Sequence, residues 1–335
     1  MRPSGAGSGA VPGPLFELAR PVAAELHQVE ARLRELLPAE MGGPAPAVYQ
    51  HVLGAGGKRL RPLLTLLSCA AAGGDPAAAV IVATSVEVVH LSSLIHDDVI
   101  DEARERRGQP TARERWGNRT SILVGDLLIA EVFRGLSAAF DQAALSVMAE
   151  AVVEMCRAEL SHGAADEPAD EGAYFANIRG KTAALMAAAC EVGAIAAENP
   201  AAGEALREYG LKIGLAFQIT DDLLDLYGDP AKLGKPIGQD LGGRHWTLPV
   251  MAALQAAPPE EHRRLEELLE RSAAGEADAA PRAADLVAAL GGREYAAGRA
   301  RELVEEAGQL LTGLADTPAR ASLQSLAEYI SQRES

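Results

Sequence analysis

Aromatic residues make up only 4% of this 335-residue chain, cysteine occurs three times, and 31 basic residues face 47 acidic ones. Each scarcity excludes something. A formal net charge of -16 leaves no basic stripe of the kind a nucleic-acid surface needs, so no nucleic-acid partner is expected. Cys69, Cys156 and Cys190 show no metal-ligand spacing, and an odd count does not build a disulfide framework. They are expected to be small core residues in a reducing compartment. Period-two runs of Val, Ile and Thr are scarce, so no strand is predicted. The N-terminal stretch has one early Arg but lacks the apolar core of a secretory signal. The apolar stretch Thr182 to Ala197 is short for a membrane span, and Glu191 interrupts it. A cytoplasmic protein without an integral membrane segment is expected.

What is abundant is Ala, Leu, Glu and Arg, with apolar residues recurring at three- and four-residue spacing, as from Leu15 to Leu37 and from Ala300 to Leu314. This composition and period predict an all-α protein. Gly, Pro and Ser crowd residues 1–14, which read as a disordered leader. No comparable linker follows. A single domain is therefore predicted over residues 15–335, with Gly73 to Pro76, Asp166 to Gly172 and Ala256 to Glu260 as interhelical loops. The helices after Pro258, and Leu323 to Ile330 near the C-terminus, read as support for the bundle.

Against this background, Asp97-Asp98-Val99-Ile100-Asp101 and Asp221-Asp222-Leu223-Leu224-Asp225 are built alike, and each ends a long apolar run. In a helix the three carboxylates of such a pentad lie along one side of the cylinder. A single acidic cluster is most often a solvated face. Here the run Ala79 to Ile95 is apolar or small apart from Glu87 and His90, and Ile213 to Ile219 is similar. A helix apolar nearly all round is a buried one. Buried carboxylates are costly unless cations sit between them. The pentads thus predict a divided metal site suited to Mg2+, which prefers hard oxygen ligands and completes its shell with substrate phosphate.

The basic residues that matter are local. In Gly54-Ala55-Gly56-Gly57-Lys58-Arg59-Leu60-Arg61-Pro62 the glycines let the backbone approach an anion, and Lys58 and Arg61 are placed for phosphate contact. The Walker pattern is absent, so this is no nucleotide loop, and alone it reads equally as a solvated helix start. After the first pentad comes Arg104-Glu105-Arg106-Arg107-Gly108-Gln109-Pro110-Thr111, whose paired arginines suit a bidentate clamp on phosphate. Lys181-Thr182 opens an apolar helix, Gln218 lies three residues before Asp221, and Lys235 follows the second pentad. Each of these alone is ordinary.

Together, Gly57 to Pro62, His90 through Asp101, Arg106 to Thr111, Lys181-Thr182 and Phe217 to Asp225 resemble the trans-isoprenyl diphosphate synthase (polyprenyl synthetase) family. Gly234-Lys235-Pro236-Ile237-Gly238-Gln239-Asp240-Leu241 and Thr247-Leu248-Pro249 extend the likeness, which runs in order from about residue 15 to the end. The resemblance implies an isoprenoid synthase bundle of helices around a deep central cavity, commonly a homodimer. It implies that the two acidic motifs face each other and hold three Mg2+ ions. Asp97 and Asp101 would ligate two of them and Asp221 the third, with Asp98, Asp222 and Asp225 acting through water or orienting basic partners. Arg106 would hold an allylic diphosphate, joined by Lys181 and Lys235. Lys58, Arg61, His90 and Arg107 would hold isopentenyl diphosphate. Thr182 and Gln218 would stabilise an allylic cation.

Other implications concern length and departures. Side chains one to two turns before the first pentad form the floor on which the growing chain stops in this family. Here those positions are Ser92, Ser93 and Val89, with Val86 and Ser85 deeper, so the resemblance implies a product of geranylgeranyl length or longer. Where the family carries Gly-Lys and one variable residue before Thr247, this chain has Arg244-His245-Trp246. His245 would make a weaker, pH-dependent phosphate contact there, unless Arg244 substitutes. His96 receives no role. Two rival readings remain: a class I terpene cyclase, which usually replaces the second pentad with an Asn, Ser or Thr, Glu triad, and a subunit of a heteromeric synthase.

Overall fold

The computed structural model describes residues 13–140, 142–162, 170–228, 238, 241 and 246–332. The chain is 83% helical, as the Ala- and Leu-rich composition predicts. The helices are α1 (Gly13–Leu18), α2 (Ala23–Glu35), α3 (Ala45–Gly54), α4 (Leu60–Ala71), α5 (Val80–Ile100), α6 (Ala112–Trp116), α7 (Asn118–Ala139) and α8 (Gln142–His162). They continue as α9 (Glu171–Ile178), α10 (Ala184–Ala196), α11 (Pro200–Tyr227), α12 (Leu248–Ala256), α13 (Pro259–Ala273), α14 (Ala279–Ala289), α15 (Gly292–Leu310) and α16 (Pro318–Ser331).

Three features depart from the reading of the sequence. A two-stranded hairpin, β1 (Glu105–Arg106) and β2 (Gln109–Pro110), sits where no strand was predicted. Its turn has Arg107 at φ 53° and Gly108 at φ 71°, the paired positive angles that join strands across two residues. Second, the loop placed at Asp166 to Gly172 ends earlier. Asp170 caps α9, its carboxylate accepting from the Ala173 N–H at 2.8 Å; residues 163–169, like the leader residues 1–12, lie outside the described residues. Third, Lys181-Thr182 does not open a helix. It lies in a π-helical turn, Arg179–Ala183, that joins α9 to α10.

Two compact units make up the chain. The first comprises residues 1–149, 189–204 and 314–326, and the second residues 150–188, 205–313 and 327–335. In the first, α5 packs against α2, α4 and α7, and Val29, Leu33, Leu63, Leu67, Val82, Val86 and Leu128 are fully buried. Each such side chain contributes about 1.5–3 kcal/mol on burial. In the second, Leu226, Val250, Ala253, Leu265, Leu268, Ala283 and Val287 form a core that joins α11 to α12, α13 and α14. The stretch Pro76–Ile100 is long and apolar enough to cross a bilayer, but 72% of its most apolar window is buried in the protein.

Cys69 and Cys190 are core residues whose thiols burial pushes up to about 12. Cys156 is not. It lies on an exposed side of α8, next to the exposed Arg157.

Candidate active site

In the first unit, the end of α5 sets the acidic group. Asp97 is half-buried, Asp98 is only 4% exposed, and Asp101 is exposed as the residue that ends the helix. Asp98 is occupied: its Oδ1 accepts from Arg106 Nε at 2.8 Å. The remaining two carboxylates, four residues apart, share a stripe with His90. The Arg107 guanidinium, at the tip of the hairpin, donates to the Gly56 carbonyl and so ties that tip to the glycine loop.

The loop itself is anchored by a residue the sequence reading passed over. Arg59 is buried and bridges Glu30 of α2 and Glu87 of α5, the latter at 3.0 Å. Burial works against its charge, but Glu87 and Glu30 outweigh that and hold its pKa above the ordinary value. It adopts the left-handed conformation, φ 49°, at a cost of about 1–2 kcal/mol. Lys58 and Arg61 flank this anchored residue by one and two positions in the chain. A signal existed: Glu87, alone in an apolar run, demanded a buried cation.

His90 retains some surface exposure yet lies deep among packed atoms. Burial, followed by the charges of Arg61, Arg107, Arg106 and Arg59, holds its pKa well below the usual histidine range. It is therefore a neutral hydrogen-bonding group within a ring of guanidinium groups. Arg107 in turn has its pKa lowered by burial and then by Arg106 and Arg59. Arg59, Arg61, Arg106 and Arg107 thus lie near enough to His90 to act on its charge.

The three positions assigned to product length do not act alike. Ser92 is buried and its hydroxyl donates to the Gly125 carbonyl of α7 at 2.9 Å, so it faces α7. His96, one turn on, does the same, with Nε2 at 3.2 Å from the Ile122 carbonyl. Ser93, half-buried, and Val89, buried, share a different stripe.

In the second unit the π turn governs the geometry. A Cβ on Gly180 would lie 2.4 Å from Ala158 Cβ and one on Gly214 would lie 2.6 Å from Ala183 Cα, so glycine at both positions admits α8 and α11 against the turn. Lys181 Nζ pairs with Glu159 at 2.9 Å. The Thr182 hydroxyl donates to Gln218 Oε1 at 2.8 Å, and Gln218 Nε2 donates to Asp222 Oδ1 at 3.0 Å. The second oxygen of Asp222 accepts from the Tyr174 hydroxyl at 2.6 Å. Tyr174 was absent from the sequence reading. Asp222 and Asp225 are buried, at 5% and 1% exposure, while Asp221 is half-buried. Lys235, Arg244 and His245 lie outside the described residues.

Among the described residues no three His, Cys, Asp or Glu side chains converge into a preformed metal cage. The donor set nevertheless fits a hard cation that brings its own oxygen ligands. Asp97 and Asp101 offer carboxylates on the more accessible side of α5, and Asp221 does so on α11.

Residues 45–287 match the family described as Polyprenyl synthetase. The chain is 38% identical over 292 residues to a short chain isoprenyl diphosphate synthase of Methanothermobacter thermautotrophicus, covering 85% of this chain and 89% of that one. It is 37% identical over 320 residues to heptaprenyl diphosphate synthase component 2 of Geobacillus stearothermophilus, covering 92% and 96%. Among solved structures, a polyprenyl synthase from Caulobacter crescentus complexed with calcium and isoprenyl diphosphate is similar with a TM-score of 0.88 and 32% identity, over 99% and 100% of the two chains.

Proposed function

This chain belongs to the polyprenyl synthetase family, and from that premise we propose that it joins isopentenyl diphosphate to an allylic diphosphate in a Mg2+-dependent condensation. It is a prenyl diphosphate synthase, a transferase of prenyl groups. The observation that carries the finer reading is the first unit's combination of Asp97 and Asp101 with four guanidinium groups around a neutral His90. Carboxylates for a cation and guanidinium groups for a phosphate are thus carried by the same unit. Residues 15–335 act as one isoprenoid synthase domain in the cytoplasm.

Asp97, Asp101 and Asp221 would hold the Mg2+ ions, three in number, which when bound would supply the charge that neutralises a departing diphosphate. Arg106, aimed by Asp98, contacts the allylic diphosphate, with Lys181 and Lys235 adding charge. Lys181 leaves Glu159 to do so. Lys58, Arg61 and Arg107 bind isopentenyl diphosphate, and His90 adds a hydrogen bond without a further charge. The allylic carbon that loses its diphosphate becomes a cation, and the isopentenyl double bond attacks it. Gln218 supports that cation through its carbonyl dipole, which Thr182 and Asp222 orient. Asp225, buried in α11, acts through water or orients a basic partner. The departing diphosphate takes up the final proton, so no protein base is required. Water is excluded because it would trap the cation as an alcohol.

Ser93 and Val89 are small, so the product is geranylgeranyl diphosphate or longer, and Ser92 shapes it only through the α5–α7 contact. The protein acts as a homodimer. The likeness to a heptaprenyl synthase component supports a second reading, a subunit of a heteromeric synthase.

The test is incubation of the purified protein with Mg2+, isopentenyl diphosphate and, separately, dimethylallyl, geranyl and farnesyl diphosphates. Linear products longer than the primer, read by mass spectrometry, are expected, with Ser93→Phe giving shorter ones. Farnesyl diphosphate from both proteins defeats the length assignment. Elongation seen only after a partner subunit is added favours the heteromeric reading, and cyclic hydrocarbons from the primers alone overturn the function.

A further inference from the structure

The hairpin bearing Arg106 and Arg107 is held from outside by a residue that belongs to no acidic or glycine-rich motif. His51 lies on α3, with its Nε2 at 2.7 Å from the Pro110 carbonyl and its Nδ1 at 3.1 Å from an Arg115 guanidinium nitrogen. A carbonyl only accepts and a guanidinium only donates. With these two partners Nε2 is the donor and Nδ1 the acceptor. The Trp116 ring meets it edge-on, centroids 5.2 Å apart, and Arg115 covers that ring at 4.9 Å.

The register explains why the Pro110 carbonyl is there to be held. Arg106 pairs with Gln109 across the two-residue turn, and the Thr111 N–H reaches the Arg104 carbonyl at 2.9 Å. Alternation along an antiparallel ladder turns the polar groups of the intervening Glu105–Pro110 pair outward. A proline fits that place because its missing N–H would have faced away from the partner strand. Its carbonyl faces α3.

The hairpin therefore has three attachments: Arg106 to Asp98, Arg107 to Gly56, and Pro110 to His51. The first two use the very guanidinium groups that must reorganise around an anion. The third does not, so it can persist when the anion arrives.

We propose that His51 is a positioning residue for diphosphate binding, which fixes the return strand of the hairpin and through it Arg106 and Arg107. The inference rests on the proposed function only for the identity of the ligand. His51→Phe keeps a ring against Trp116 and removes both hydrogen bonds, whereas His51→Gln restores a donor near the place of Nε2.

Calorimetry with inorganic pyrophosphate and Mg2+ is expected to show affinity weakened about tenfold in His51→Phe, as for one lost hydrogen bond. His51→Gln is expected to return to within about twofold of the wild type. In turnover assays KM for the diphosphate substrates rises in His51→Phe while kcat holds. Unchanged pyrophosphate affinity in His51→Phe overturns the proposal, as does a Gln variant as weak as the Phe variant. Wild-type protein that binds pyrophosphate without transferring a prenyl group overturns the function and leaves the binding comparison to decide on His51. If His51→Phe does not fold, imidazole nitrogen NMR of the wild type decides: a bare Nδ1 with protonated Nε2 is expected, and the opposite tautomer overturns the proposal.

Discussion

Asp98 and Asp222 hold the same place in two pentads of the same pattern, yet a guanidinium grips the first and a phenol and an amide grip the second. The difference extends to the third carboxylate. Asp101 ends its helix and is exposed, whereas Asp225 lies within α11 at 1% exposure. A motif read from letters is thus two environments in the folded chain. Around Asp98 a partner is charged, as would suit residues proposed to meet a diphosphate. Around Asp222 the Tyr174 phenol and the Gln218 amide donate, and the amide in turn accepts from Thr182. An allylic cation would be repelled by a guanidinium but stabilised by such dipoles.

The largest effect that tests this comparison is on what the pentads share. Asp97→Asn and Asp221→Asn are each expected to lower kcat/KM on the order of 10^3-fold. Removing Mg2+ with a chelator should abolish activity, and adding it back should restore it. Activity within about tenfold of the wild type in either variant would remove that residue from the metal set.

A sharper test separates the two environments. Asp98→Asn, which weakens the hold on Arg106, is expected to raise KM for the allylic substrate about 10- to 100-fold while kcat holds. Tyr174→Phe removes one neutral donor from Asp222 and is expected to lower kcat about tenfold with KM little changed. Steady-state kinetics on both variants decide, and the same KM-to-kcat pattern in the two would end the distinction.

The smallest effect is one of stability. An unfolded His takes up its proton near pH 6.5, about the ordinary value, while native His90 refuses it until the pH is well lower. The unfolded chain then binds more protons, so stability falls as the pH drops from about 6.5 towards the depressed native value, by up to about 1.4 kcal/mol per pH unit. Denaturant titrations are expected to show this loss in the wild type and its absence in His90→Gln. Equal slopes would mean that His90 is protonated in the native state.

Much of this was legible in the sequence because the signals are local. The three- and four-residue apolar spacing marks the helices, and two pentads at the ends of apolar runs mark the acidic groups. The glycine-rich and paired-arginine patterns mark Lys58, Arg61, Arg106 and Arg107 as basic residues near these elements, and the roles proposed for them come from the family resemblance. What was not legible depends on contacts far apart in the chain. Tyr174 meets Asp222 across 48 residues, and Arg59 meets Glu30 and Glu87 across 29 and 28. No local pattern carries those separations. The hairpin escaped because two-residue strands are too short to show alternation, although Arg107-Gly108 carries the turn. The burial of Ser92 against α7 was hidden for a related reason. A helix apolar nearly all round does not announce which stripe faces which neighbour.

The π turn at Arg179–Ala183 has a consequence for how chains of this kind diverge. Deleting one residue there would restore an α-helix, because the wider turn holds one residue more than the α turn that would replace it. Thr182 could then no longer face Gln218 while Ala187 kept its place beside Leu211. Substitutions can be absorbed one at a time, but a change of length at this point removes the widened turn that brings Thr182 to Gln218. The number of residues between Tyr174 and Ala187 is therefore itself inherited information, as binding as the identity of any one of them.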